Sequence, residues 1–267
     1  MRRHVTAELD LEVAALATLE LQVAVATRPD LTLDEQLSIT LDGEPLPVRE
    51  VETQHGSRVH LLESGAGAVQ VRYRATIDGR APADPASDVD VVTARRPSRY
   101  AHSDALLGFA LKEFGPRPDV ATLLPHVASW VGTHLDYIPG SSRGTDGATQ
   151  TLLAGAGVCR DYAHLVIALL RALDVPARLA AVYAPGLAPM DFHAVAEAVV
   201  DGRWRVVDAT CLAPRSTLLR ISTGRDAADT AFLTTYGGDV LLSRVEVSAV
   251  VDGELPTDDV RALVSLG

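Results

Sequence analysis

Lysine and asparagine are almost missing from this 267-residue chain: Lys112 is the sole lysine, and there is no asparagine. Without asparagine there is no Asn-x-Ser/Thr glycosylation acceptor, and no catalytic triad can draw its third member from Asn. Cysteine is scarce as well, with only Cys159 and Cys211. Two cysteines in so long a chain build no disulfide framework, so a reducing cytoplasm is the expected compartment. Positive charge is in deficit, 24 Lys and Arg against 35 Asp and Glu, a net −11. That balance excludes a general nucleic-acid binder, which needs a basic face for phosphates. No run approaches the ~18 uncharged apolar residues of a membrane span. Met1-Arg2-Arg3 opens like an export signal, but Glu8, Asp10 and Glu12 interrupt the place of its apolar core. Neither His-Glu-x-x-His nor Cys-x-x-Cys occurs, so no metal and no other cofactor is expected.

What is present divides near residue 97. Before it, Val69, Val71, Tyr73, Ala75 and Ile77 alternate with polar residues. So do Leu9 to Val13, Leu21 to Val25 and Leu37 to Leu41. The period of two predicts strands with one wet face. Turn signals at Arg28-Pro29-Asp30, Asp42-Gly43, His55-Gly56-Ser57 and Asp78-Gly79 separate them. Short strands at this spacing predict a β-sandwich over residues 1–97. Beyond a Pro/Ala/Asp-rich stretch, Ala81 to Asp88, the spacing turns helical at Ala105 to Ala110 and Leu123 to Val131. The strongest helix is predicted from Cys159 to Leu173, ended by Asp174-Val175-Pro176. Strands are predicted at Ala177 to Tyr183, His193 to Val200 and Arg203 to Thr210. Residues 98–267 thus form a second, α+β domain.

Cys159 follows Gly155-Ala156-Gly157-Val158 and opens the helix. Free N–H groups and the positive dipole end favour a thiolate there, and the glycines admit a substrate backbone. The plain alternative is a small buried hydrophobe. A thiolate nucleophile needs a histidine. His164 lies roughly 140° around the helix at ~100° per residue, so it points elsewhere. His193 opens a strand, and Asp201-Gly202 is a two-residue hairpin signal. That turn pairs Val195 with Asp208 and sets His193 and Asp208 on one face as diagonal neighbours, ~7–8 Å apart. Asp208 could then hold one ring nitrogen and turn the other to Cys159. A one-residue slip would separate them.

The block Gly157-Val158-Cys159-Arg160-Asp161-Tyr162-Ala163-His164-Leu165, continued by Ala168 to Arg178, resembles the transglutaminase-like superfamily. Asp191-Phe192-His193-Ala194 and Val207-Asp208-Ala209-Thr210 support it in order and spacing. Pro97-Ser98-Arg99-Tyr100 with Ser103-Asp104, and Gly224 to Asp229 leading to Tyr236-Gly237-Gly238, are similar to its bacterial members. The resemblance implies a papain-like α+β core behind an N-terminal β-sandwich, with Cys159 as nucleophile, His193 as base and Asp208 as orienting acid. Val195 stands where the family usually has Trp, and Ala209 where it often has Pro; both changes bear on the substrate groove.

The expected activity is acyl transfer on peptide or isopeptide amide bonds, with hydrolysis favoured over transamidation. The rival classes are a peptide-binding module on the same fold and an arylamine N-acetyltransferase, whose nucleophile motif looks different. The substrate is expected to be a peptide or amide, with no nucleic-acid and no membrane partner, and the sequence leaves the oligomeric state open. Gly140-Ser141-Ser142-Arg143-Gly144 fits Gly-x-Ser-x-Gly, but its neighbours spell loop rather than strand and helix. Cys211 reads as a packed small residue rather than a resolving thiol. Trp130 and Trp204 read as core.

Overall fold

The structure, a computed structural model, describes every residue except Arg117 and Gly267. The chain begins with strands β1 (Arg2–Val13), β2 (Ala17–Leu21), β3 (Leu31–Leu41), β4 (Glu44–Pro45), β5 (Arg49–Glu52), β6 (Arg58–Ser64) and β7 (Gly67–Gly79). Then come α1 (Asp88–Ala94), α2 (Leu107–Phe114), α3 (Val120–His134), β8 (Asp136–Tyr137), α4 (Ala148–Ala154), β9 (Ala156–Gly157) and α5 (Cys159–Ala172). The last part holds β10 (Ala177–Tyr183), β11 (Phe192–Val200), β12 (Arg203–Val207), β13 (Leu219–Gly224), α6 (Ala227–Thr230), β14 (Leu233–Gly237) and β15 (Val240–Val251).

Two sheets form the sandwich, in orders β15-β1-β7-β3-β4 and β14-β2-β6-β5. Along β7, Val69, Val71, Tyr73, Ala75 and Ile77 are buried, as the alternation requires, and they share one apolar core with Leu9, Leu19 and Leu62. The sheets do not respect a division at residue 97, since β14 and β15, from the far end of the chain, complete one sheet each. Tyr183, Leu219 and Ile221 of the second half also pack into the sandwich core. The Tyr183 hydroxyl donates to Val23 O at 2.6 Å, and its ring stacks on Tyr73.

The expected strand at Leu21 to Val25 is displaced to Ala17–Leu21. Val23, Ala24 and Val25 are buried, but their backbone bonds run outside any ladder. Val25 N–H donates to the Tyr73 hydroxyl, and Gln22 N–H to Phe232 O. Apolar side chains alone do not make a strand when side-chain hydroxyls satisfy the backbone.

The α+β half centres on the antiparallel sheet β12-β11-β10-β13. Helix α5 lies across it, and its Leu165, Val166, Leu169 and Leu170 are fully buried against α2, α3 and the sheet. The other face is covered by Leu187, Leu218 and Leu266. Helix α5 ends at Ala172, and Asp174 takes a left-handed φ of 63° just past it. Between β11 and β12, Asp201 (φ 49°) and Gly202 (φ 69°) make the turn with both central residues left-handed, which matches the right-handed strand twist.

Candidate functional site

The hairpin register is the one the turn dictates: Val200 pairs with Arg203, and Ala196 with Val207. Continued past the ladder, it sets His193 and Asp208 on one face. His193 Nε2 and Asp208 Oδ2 are 3.3 Å apart, and both side chains are buried. Strand β12 stops at Val207 rather than Thr210 because Asp208 folds its carboxylate onto its own backbone. Oδ1 accepts the Thr210 N–H at 2.8 Å and the Thr210 hydroxyl at 2.7 Å. The carboxylate is thereby fixed before it meets the imidazole. His193 Nδ1 has no hydrogen-bond partner among the described residues. Cys159 lines the same cleft as His193 and is near enough to raise its imidazole.

Cys159 is the first residue of α5 and is half-buried. The turn carrying it is held by Asp161, which is wholly buried. Asp161 Oδ2 accepts the Val158 N–H at 2.9 Å, closing the helix start, and also the Ser142 hydroxyl. Arg160 Nη2 donates to Asp161 Oδ1 at 2.9 Å and to Arg143 O at the same distance. Ser142 therefore serves the loop that braces the helix, and residues 140–146 contain no strand-to-helix elbow for a serine nucleophile.

Burial opposes a charged His193, but Asp208 and Cys159 outweigh it and push the imidazole up to about 10. Asp208 itself is held below the usual carboxylate range, because His193 and Thr210 overcome its burial. The arrangement sets a thiol at a helix N-terminus in one cleft with an imidazole held by a buried carboxylate, the pairing a thiol nucleophile uses.

Cys159 and His193 open into a cleft of about 360 Å³. Its walls are mainly apolar: Leu179, Ala181, Phe192, Ile221 and Phe232, with Asp191 near His193. Burial pushes the Asp191 carboxyl up.

His164 does point away from Cys159. It is buried under Tyr100, ring centroids 5.2 Å apart, and its Nε2 accepts the Ala227 N–H at 3.1 Å. Burial lowers it to about 4, so it stays neutral and acts as an acceptor. Asp226 accepts the Tyr100 N–H at 2.8 Å. Arg171, on the buried side of α5, donates to Arg96 O, Ser98 Oγ and Arg225 O. These bonds fasten the stretches near 97–100 and 224–229 to α5, and so build one wall of the cleft.

Trp130 stacks on His134, centroids 3.9 Å apart, within the helical core. Trp204 lies under the Arg178 guanidinium at 3.8 Å. It lines a second cavity of about 340 Å³ with His55 and Asp90, which contains no thiol and meets the first only at Gln22. Behind it Glu197, fully buried, accepts from Arg178 and from Arg220, each at 2.9 Å. Cys211 is exposed at a φ of 53°, its sulfur 3.8 Å from Asp208 O.

Sequence reasoning passed over two residues beside Cys159. Asp161 could have been found, since it stands three residues after the helix-capping Val158, where a side-chain acceptor is expected. Tyr137 carried no local signal. It lies close to Cys159, and burial together with the adjoining Cys159 pushes its hydroxyl up to about 12.

Residues 114–209 match the model of the transglutaminase-like superfamily, a span that contains Cys159, His193 and Asp208. A crystal structure of a candidate cysteine protease from Cytophaga hutchinsonii is 32% identical and superposes with a TM-score of 0.89, covering 98% of this chain and 96% of that one. An uncharacterised protein of Mycobacterium tuberculosis is 37% identical over 89 residues, which is 33% of this chain and 27% of that protein. One from Mycobacterium leprae is 28% identical over 108 residues, 40% of this chain and 37% of its own length. The match therefore spans well under half of these curated relatives.

Proposed function

Because the chain belongs to the transglutaminase-like superfamily, we propose that it is a thiol-dependent acyl-transfer enzyme that hydrolyses peptide or isopeptide amide bonds. Cys159 is the nucleophile, His193 the proton shuttle and Asp208 the orienting acid. The observation that carries this reading is the His193–Asp208 contact of 3.3 Å, in the same cleft as Cys159 at the first residue of α5. The likeness to the Cytophaga protein supports the protease class. The reading includes a reducing cytoplasm, where both thiols stay free.

In the first half-reaction the Cys159 sulfur adds to the substrate carbonyl carbon, and the π pair moves onto oxygen. The backbone N–H of Cys159, at the positive end of α5, donates to that oxygen. The His193 imidazolium then gives its proton to the leaving nitrogen, the C–N bond breaks, and a thioester remains. In the second half, neutral His193 takes a proton from water, whose oxygen attacks the thioester carbon and releases the acid and the thiolate. Asp208 keeps one tautomer and one ring orientation throughout. The apolar walls of the cleft suit a substrate whose group next to the scissile carbonyl is itself apolar.

The test is a panel of peptide and isopeptide amides, run with and without a primary amine, against a Cys159→Ala control. Amide cleavage without added amine, absent in the control, is the expected result. Incorporation of the amine in place of water would make the enzyme a transglutaminase. Tight substrate binding without turnover would make it a binding module.

A further inference from the structure

Besides the thiol, three side chains lining the cleft of Cys159 can carry a full charge: Arg160, Asp191 and His193. Two of them are matched. His193 meets Asp208. Arg160 Nη2 lies 2.9 Å from Asp161 Oδ1 and also donates to Arg143 O. Asp191 makes no ion pair among the described residues. Its Oδ1 accepts the neighbouring Phe192 N–H at 2.7 Å, which steadies the carboxylate, and its Oδ2 has no partner among the described residues. Asp191 stands one residue before β11 and two before His193. Residues two apart on an extended chain share a face, ~7 Å from each other, and both of these line the cleft. Partial burial disfavours the Asp191 charge, so a cation arriving with the substrate would restore what burial removes.

On the reading of Cys159 as nucleophile, we propose that Asp191 is a specificity residue, whose free carboxylate oxygen binds a primary ammonium group of the substrate close to the scissile carbonyl. The preferred substrate is then an amide of an apolar residue that carries a free amine. Reach favours the α-ammonium of the residue that owns the carbonyl. An α-nitrogen lies about 2.5 Å from its own carbonyl carbon, and a charged N–H···O bond adds about 2.8 Å. That sum of about 5 Å fits within the ~7 Å offset between Asp191 and His193 along the strand. A lysine ε-ammonium, several bonds further out, has to fold back to reach the same oxygen. The side chain of the substrate residue meets Leu179, Ala181, Ile221 and Phe232. The chain's net charge of −11 also favours the approach of a cationic substrate.

Asp191→Asn keeps an oxygen for the Phe192 N–H and removes the charge. Four nitroanilides are compared at pH 7, below the ordinary α-ammonium value of about 8: leucine, N-acetyl-leucine, N-acetyl-lysine and N-acetyl-norleucine. A hydrogen bond to a charged group is worth about 10–100-fold. The parent should therefore cleave the leucine substrate with a kcat/KM about 10–100-fold above that for N-acetyl-leucine. In Asp191→Asn the preference should vanish through loss on the free amine alone, with N-acetyl-leucine cleaved at the parent rate. A preference for N-acetyl-lysine over N-acetyl-norleucine that vanishes in the same variant supports the site with a side-chain ammonium as its ligand. A parent indifferent to both amines, or a preference that survives in Asp191→Asn, would overturn the assignment. So would an equal loss on all four substrates, which would make Asp191 a support for His193. Failure of the broader reading looks different: no nitroanilide is cleaved, or Cys159→Ala still cleaves them. The Asp191 site is then judged by calorimetry on Cys159→Ala. Leucinamide binding more tightly than N-acetyl-leucinamide, with the difference lost on adding Asp191→Asn, upholds it, and equal binding of the two amides sinks it.

Discussion

Replacing Asp208 by Asn inverts the hydrogen-bond polarity of the site with almost no change in shape. Thr210 gives two donors to Oδ1, its N–H at 2.8 Å and its hydroxyl at 2.7 Å. The hydroxyl can rotate, but the N–H cannot, so the Asn oxygen is held in the Oδ1 place. Its NH₂ is then turned toward His193 Nε2, 3.3 Å away in the parent. The ring must offer a lone pair at Nε2 and carry its proton on Nδ1, toward Cys159. In that tautomer it can no longer take the thiol proton. The same inversion in a Ser-His-Asp triad costs about 10⁴ in kcat, or about 5 kcal/mol of barrier. The pH profile gives a second signature. The groups facing His193 are Asp208, Cys159 and Asp191. In the parent, Asp208 and Cys159 outweigh burial and keep the imidazolium to about 10. Turnover, which needs that proton for the leaving nitrogen, should fall only near pH 10. In Asp208→Asn burial is less opposed, so this alkaline limb moves down in pH. Stability follows the same linkage. The His193 pKa is raised on folding, so the pair's contribution is complete below the ordinary histidine value near 6.5 and is lost as pH climbs through about 10. The stability gap between parent and variant should narrow over that window. The assay is kcat/KM against pH on a variant whose folding is checked by near-UV circular dichroism. A folded Asp208→Asn within tenfold of parent turnover, with its alkaline limb unmoved, would refute the reasoning.

Limiting iodoacetamide near neutral pH should label Cys159 ahead of Cys211, whose thiol is pushed up by partial burial of the sulfur and by the Asp208 carboxylate. Peptide mapping showing equal labelling would count against the site. Glu197→Ala leaves the Arg178 and Arg220 guanidinium groups, 4% and 5% exposed, without their shared partner. Breaking a buried ion pair from one side costs about 3–5 kcal/mol, so the urea midpoint should drop sharply. A shift smaller than about 1 kcal/mol would mean that water or Asp84 already compensates the two cations.

The parts of this fold that were legible in the sequence are those whose causes are local. Asp201-Gly202 fixes a turn with two left-handed residues, and the turn fixes the register that brings His193 to Asp208. The apolar stripe of α5 and its stop at Asp174 are equally short-range. The illegible parts depend on contacts between distant segments. Val23 to Val25 read as a strand, but their backbone is bonded through Tyr73 and Tyr183, dozens to more than a hundred positions away. Tyr137 reaches Cys159 only because β8 pairs with β9. Arg171, His164 and Asp226 look like ordinary polar residues in sequence, and only their buried partners show that they fasten the cleft wall to α5.

The pairing of β1 with both β7 and β15 sets a timetable for the chain on the ribosome. β1 finds β7 early, while synthesis has barely passed residue 79. Its other edge stays bare until residues 240–251 have emerged, and β2 likewise waits for β14. During most of translation the nascent sandwich therefore carries two open strand edges, a template for pairing with the wrong chain. The last-made strands cover β1 and β2 and become the edge strands of their sheets, and they follow Cys159, His193 and Asp208 in the sequence. A chain interrupted after the hairpin would hold all three of those side chains yet lack β13 and the two strands that complete the sandwich against which β10 and β13 rest. The loop closed by the β1–β15 ladder is among the longest this chain can make, so folding should be slowest at that step.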